Sequence, residues 1–401
     1  MKGKQLFSVL LGLLMVGMVL VSASDTVKPT KISSIPSDGI SISPLPGHEK
    51  GIIMKTFTGK LSLHLAEQFL QKYWDMLTLR IKFEEFGDAT FVGIALRPLP
   101  SGAYVPLYYF GYDSDDLDVK TLTKDFYSEV SKFENTPLEV KGALSDEPPR
   151  AWKYLGAILS LRTSREIKVA PAPWIVRKAT VYNGVGAEFW GTYGEWGQYV
   201  YYVAITHSAE VPSDRDLPSD FKIAVKEVKD RVTVLNSDDA FIGYGSFRPD
   251  DSGSTSQSVV TWGLNLDFGI DATGRPLPTA QAGFSESHTT GLGFKWYTRI
   301  IDPNYDVQFE FYDLKKKGLL TSSPAWGQIF VSRPVVLVHV KQGTPFYEGK
   351  IRVRADATFV YEVPVDSPFS GTYVVKKDVN APPVEFTVEM FPWEGMIQLR
   401  D

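Results

Sequence analysis

Between Ser256 and Thr290 apolar and polar residues alternate in the longest such run of the chain. Val260, Trp262, Leu264, Leu266, Phe268 and Ile270 share one phase; Thr261, Gly263, Asn265, Asp267, Gly269 and Asp271 share the other. A period of two is the signature of a strand with one apolar face. After a turn at residues 272–276, a return arm from about Thr279 to Thr290 sets Thr279, Gln281, Gly283, Ser285, Ser287 and Thr289 against Ala280, Ala282 and Phe284. Such arms exceed the ~5–6 residues usual for a soluble strand and reach the ~9–11 that cross a bilayer. Two readings fit: a long sandwich hairpin with one wet face, or a hairpin that enters a membrane.

Upstream the period changes repeatedly, as in a small α+β domain spanning 51–145. A strand at Ile52–Phe57 is followed by Leu65, Ala66, Phe69, Leu70, Tyr73, Trp74 and Leu77 at three- and four-residue spacing. This predicts an amphipathic helix of about four turns behind an N-cap at Ser62. Strands follow at Leu79–Phe83, Thr90–Leu96 and Tyr104–Tyr112, then a second helix whose Leu122, Phe126, Val130 and Phe133 share a face. The order predicts helices packed on one side of a small sheet. Residues 146–172, with Pro148, Pro149 and Pro171, read as a linker. From 173 to 401 nearly every apolar run is strand-like and bounded by turn residues, which predicts a larger antiparallel β-sandwich carrying the long amphipathic hairpin. The fold class is therefore mainly β, with a small N-terminal α+β domain.

The N-terminus has a different character. Lys2 and Lys4 precede an apolar run from Leu6 to Val21, then the small residues Ser22, Ala23 and Ser24. The run is short against the ~20 residues of a membrane span, so residues 1–23 read as a signal peptide cut after Ala23; an uncleaved anchor is the alternative. Residues 24–50, with Pro29, Pro36, Pro44 and Pro46, read as a Pro/Ser-rich tether. The expected location is secreted or cell-surface, released or held by its N-terminus.

Export and the absence of cysteine together mean that no disulfide stabilises the fold. The core must do so alone, and 43% apolar and 13% aromatic residues suffice to build a large one. Sixteen Asn and Gln against 26 Pro resemble the economy of thermophile proteins. A net charge of −5, with basic residues dispersed among acids, gives no footprint for nucleic acid.

Catalytic motifs were sought and none occurs: no H-E-x-x-H, no G-x-S-x-G, no P-loop and no G-x-G-x-x-G. The histidines, His48, His64, His207, His288 and His339, are far apart, so no catalytic residue, metal or cofactor is expected. Asp113, Asp115, Asp116 and Asp118 fit a helix cap better than a calcium loop, which needs a glycine and a distal glutamate. Glu188 and Glu195 flank Phe189-Trp190-Gly191-Thr192-Tyr193-Gly194 with Trp196 beyond. Exposed Trp190, Tyr193 and Trp196 would stack on sugar rings between two carboxylates; otherwise they fill the core beneath a hairpin loop.

The run Ser258-Val-Val-Thr-Trp-Gly-Leu-Asn-Leu-Asp-Phe, a glycine-containing turn, and Ala282-Gly-Phe-Ser-Glu-Ser-His-Thr-Thr resemble the hairpin region of β-barrel pore formers of the leukocidin and α-haemolysin type. The resemblance covers about a tenth of the chain and implies a secreted, oligomerising, membrane-inserting protein. The chain as a whole resembles uncharacterised secreted proteins of hyperthermophilic archaea, which implies a setting but no function. The leading expectation is a secreted or envelope-associated, non-enzymatic binding protein. A pore former and a glycan-binding or glycan-hydrolysing protein are the alternatives. Expected partners are a cell-surface protein, a glycan, a membrane or further copies of the chain.

Overall fold

The computed structural model describes residues 40–41, 51–87, 89–112, 118–142, 150–172, 175–193, 198–212, 217–248, 253–255, 292–302, 304–317, 322–344, 347–367 and 371–393. The expected signal peptide and most of the tether lie outside these residues, as does the hairpin 256–290.

Among the described residues two sheets face each other. The first runs β1 (Ile40–Ser41), β2 (Ile53–Thr58), β4 (Ala89–Pro98), β5 (Tyr104–Tyr112), β7 (Arg150–Ala172), β8 (Ile175–Tyr193), β9 (Tyr199–Glu210), β17 (Val335–Val340) and β11 (Ala240–Arg248). Short β6 (Glu139–Gly142) adds to β7, and β16 (Phe330–Ser332) to β9. The second runs β12 (Gly253–Thr255), β13 (Leu292–Asp302), β14 (Asp306–Lys317), β10 (Lys222–Val234), β18 (Gly349–Ser367), β20 (Val384–Met390) and β3 (Leu79–Ile81). To these β15 (Ser322–Pro324) adds on β14 and β19 (Gly371–Asn380) on β18. Strand pairs are antiparallel except β5 with β7, where Tyr108 lies opposite Ile158. A parallel pair needs a crossover, and helix α2 (Val119–Asn135) supplies it.

Strand alternation divides the apolar residues between two cores. Val92, Ile94 and Leu96 of β4, with Tyr199, Tyr201, Val203 and Ile205 of β9, point between the sheets. The second sheet answers with Val228, Val232, Val353, Phe359 and Phe386. The opposite phase, Phe91, Tyr109, Trp152, Trp190 and Tyr202, packs outward under Leu122, Phe126, Val130 and Phe133 of α2. Close approach of this helix requires bare backbone: a Cβ at Gly93 would lie 2.5 Å from the Phe126 ring.

The mainly β sandwich is as expected, and four local readings are corrected. Residues 150–172 are not a linker but strand β7, whose Leu155, Ile158 and Leu161 are core residues despite the flanking prolines. The helices do not share one side. Ala66, Phe69 and Leu70 of α1 (Ser62–Gln71) join the inter-sheet core, whereas α2 covers the outer face. Ser62 is no cap; it is buried one residue inside the helix, and its hydroxyl donates to the Ala89 carbonyl at 2.7 Å. The helix also stops at Gln71, with Trp74–Met76 as a separate 3-10 turn. Strand β10 is bulged between Val225 and Glu227. Asp118 does cap α2, accepting from the Thr121 N–H at 2.8 Å.

Candidate functional site

The strands that bracket the alternating segment are paired with each other. β12 and β13 run antiparallel with Gly253 opposite Trp296 and Thr255 opposite Phe294, at the edge of the second sheet. The chain thus leaves this edge after Thr255 and re-enters it at Leu292 on the neighbouring strand. Val260, Trp262, Leu264, Leu266, Phe268 and Ile270 lie within that excursion, outside the described residues.

Register fixes which end of the sandwich the excursion leaves from. Leu292 pairs with Lys316, Tyr312 with Glu227, and Lys222 with Glu362. The excursion, the turn after β14 and the start of β10 therefore share one end. Beyond Glu362 the β18–β19 hairpin continues past β10 and exposes Tyr373 and Val374 by 50% and 65%. Arg177, near the β7–β8 tip, pairs with Asp220 at 3.0 Å, which brings exposed Val176 to the same end. The β7–β8 and β18–β19 pairs both reach that end with apolar side chains exposed.

The aromatic cluster is divided. Trp190 is only 2% exposed and packs 4.8 Å from Tyr154 beneath α2, so it has no face for a ligand. Tyr193 is exposed and stands edge-on to Tyr199 and Tyr347. Glu195 and Trp196 lie outside the described residues. Glu188 points away from this cluster and accepts from Arg333 Nη2 at 3.3 Å. The structure thus separates Trp190 and Glu188 from Tyr193. A wider cleft of about 860 Å³ opens between the sheets beside Glu85, Tyr112, Arg162 and Pro383. Glu85 is engaged there, accepting from the Thr387 backbone N–H and hydroxyl.

One polar cluster that sequence reading did not pick out joins the two sheets. His207 of β9 reaches Asp230 of β10 through Nδ1 at 2.7 Å and Asn183 of β8 through Nε2 at 2.5 Å. Ser332 of β16 donates to the second Asp230 oxygen at 2.8 Å. All four side chains are fully buried. Asn183 gives its amide hydrogens to the carbonyls of Ala355 and Pro382, so its oxygen faces the imidazole and Nε2 must carry hydrogen. A single proton then lies between Nδ1 and Asp230. A signal existed in the sequence: each residue occupies the apolar phase of its strand, His207 after Val203 and Ile205, Asp230 between Val228 and Val232, Asn183 between Val181 and Val185. Its geometry fastens one sheet to the other and offers no open face to a substrate. A different histidine, His339, shares a hydrogen bond with Ser246 at 2.8 Å, and burial holds its pKa down to about 4.

Among the described residues no group of His, Cys, Asp and Glu is placed to hold a metal ion, and no helix is long and apolar enough to cross a membrane. No family model matches the sequence, and no curated protein matches it. Solved structures with some likeness include Clostridium perfringens delta-toxin, 9% identical with TM-score 0.30, covering 63% of this chain and 93% of that one. A chain described as a pore forming protein is 9% identical with TM-score 0.29, covering 63% and 97%. The Clostridium perfringens NetB toxin in its membrane inserted form is 10% identical with TM-score 0.28, covering 59% and 98%. A TM-score of this size carries no inference about activity.

Proposed function

We propose that this chain is an exported protein that assembles into an oligomeric β-barrel pore, with residues 256–291 as the hairpin each copy contributes. The observation that carries the reading is the pairing of β12 with β13: the strands on either side of the alternating segment lie side by side at one sheet edge. In this reading the segment extends the β12–β13 pair as a two-stranded ribbon. Its 36 residues allow two arms above the ~9–11 residues needed per membrane crossing. One hairpin cannot close a barrel, and open edges in lipid leave backbone groups unpaired, so several copies are required. The exposed Val176, Tyr373 and Val374 at the end from which the segment departs suit contact with a bilayer interface. A binding protein without membrane insertion, the leading expectation from sequence, leaves the length and two-faced pattern of this excursion unused.

Dye-loaded vesicles of phosphatidylcholine, with and without phosphatidylglycerol, test the proposal. The wild-type chain releases dye and forms ring-like oligomers on the vesicles. Leu266→Asp, on the apolar phase, slows release by about tenfold or more, whereas Asn265→Asp, on the polar phase, leaves it within about twofold. Absence of both release and rings across pH and temperature sinks the proposal.

A further inference from the structure

The outer face of the first sheet carries a trough between α2 and the β7–β8–β9 surface. Its floor is bare backbone: Gly184 and Gly186 alternate with inward Val185, and Cβ atoms there would lie 2.7 Å from the Ser208 hydroxyl and 3.3 Å from the Ile158 carbonyl. One wall is Glu129 of α2, only 5% exposed. Its Oε1 accepts from Lys132 at 2.7 Å, while its Oε2, also buried, has no hydrogen-bond partner among the described residues. Opposite stands Ser160, at the bulge between Ile158 and Leu161, with φ +63° and a buried hydroxyl likewise without a partner. Glu188 with Arg333, and Ser208 bonded to Glu210 at 3.1 Å, complete the lining.

Buried polar atoms are nearly always satisfied, and a non-glycine residue at positive φ is strained and persists only where its surroundings hold it there. Both departures occur in one trough, aimed at the same space. Two ion pairs stand there, Glu129 with Lys132 and Glu188 with Arg333, and Arg162 and Glu210 add one charge of each sign to the lining, so a charged ligand would upset a balance that exists. Burial pushes the Glu129 carboxyl up, and nearby Glu188 adds to the shift. Hydrogen-bonding capacity at Glu129 Oε2 and Ser160 Oγ lacks satisfaction, in a lining to which Arg162 and Arg333 add buried Nε–H donors. Hydroxyl groups, each donor and acceptor at once, fit both. The trough offers about 50 Å³ to the centres of water-sized groups, room for a few of them.

We propose that this trough binds the hydroxylated edge of a neutral sugar or polyol, with Glu129 Oε2 and Ser160 Oγ as the two contacts that fix it. The site is independent of the pore reading. Glucose, galactose, mannose, N-acetylglucosamine and myo-inositol serve as probes in saturation-transfer NMR and titration calorimetry on the full chain, with ethylammonium and acetate as charged controls. At least one neutral probe binds, and Glu129→Gln and Ser160→Gly each weaken it by about tenfold. Ser160→Gly also relieves the positive φ, so its melting temperature rises, which separates lost binding from lost folding. Binding to no neutral probe, preference for either charged control, or affinity unchanged in Ser160→Gly overturns the proposal.

Discussion

Replacing His207 by leucine gives the sharpest test of how the two sheets are held together. The imidazole contacts Asp230 on one sheet and Asn183 on the other, at 0% exposure for all three. Leucine fills a similar volume but supplies no donor. Asp230 Oδ1 and Asn183 Oδ1 each lose a partner where water has no access, at about 1–3 kcal/mol apiece. The sum, about 2–6 kcal/mol, brackets the ~3–5 kcal/mol typical of breaking a buried charged pair from one side. Removing the partners together should cost far less than the sum of the single changes. Asp230→Val with His207→Leu, Asn183→Val and Ser332→Ala leaves an apolar plug in a region already lined by Val181, Val185, Val228 and Val232. Urea unfolding of the singles and the combined variant, followed by tryptophan fluorescence, gives the coupling energy. If His207→Leu costs under about 1 kcal/mol, or if the costs simply add, the cluster is not a fastening between the sheets.

Burial of His339 makes stability depend on pH. Its folded pKa, about 4, lies below the ordinary 6.5, so the unfolded chain binds the proton more readily. Stability from this group is complete above pH 6.5 and falls by about 3 kcal/mol as pH drops from 6.5 to 4; His339→Gln should flatten that part of the profile in urea titrations at stepped pH. At Gly93, alanine would press a methyl into the Phe126 ring and push α2 off the sheet. A loss of about 1–3 kcal/mol is expected in chemical denaturation, and an unchanged midpoint would mean that the helix does not pack so closely.

Legibility in the sequence followed the range of the interactions involved. Tyr104–Tyr112 and the buried face of α2 are legible because strand alternation and the i, i+3, i+4 spacing are local. β7 was missed because its Arg150–Ala172 run lies between Pro148–Pro149 and Pro171–Pro173, and proline signals outweighed its apolar residues. The length of α1 was overestimated because Tyr73, Trp74 and Leu77 keep a helical spacing, although the chain turns at Lys72 and Leu77 instead bridges to Tyr104. The sides taken by the two helices depend on how β4 and β5 join β7 and how β3 joins β20, pairings that no single stretch of sequence encodes. The same holds for the site residues. Glu188 and Tyr193 are five apart, yet one packs toward Arg333 on the outer face and the other stands at the strand end beside Tyr347.

Insertion of residues 256–291 is the central claim, and a scan of single cysteines tests it most directly. The chain has no cysteine of its own, so each introduced thiol carries the only label. An environment-sensitive dye is placed in turn at positions 261 to 268 of the full chain, and fluorescence is read with and without vesicles bearing a lipid-borne quencher. Labels replacing Trp262, Leu264, Leu266 and Phe268 should shift to the blue and be quenched from the bilayer, while those replacing Thr261, Gly263, Asn265 and Asp267 stay in a watery environment. A response without this period of two, or none on adding vesicles, would contradict the pore.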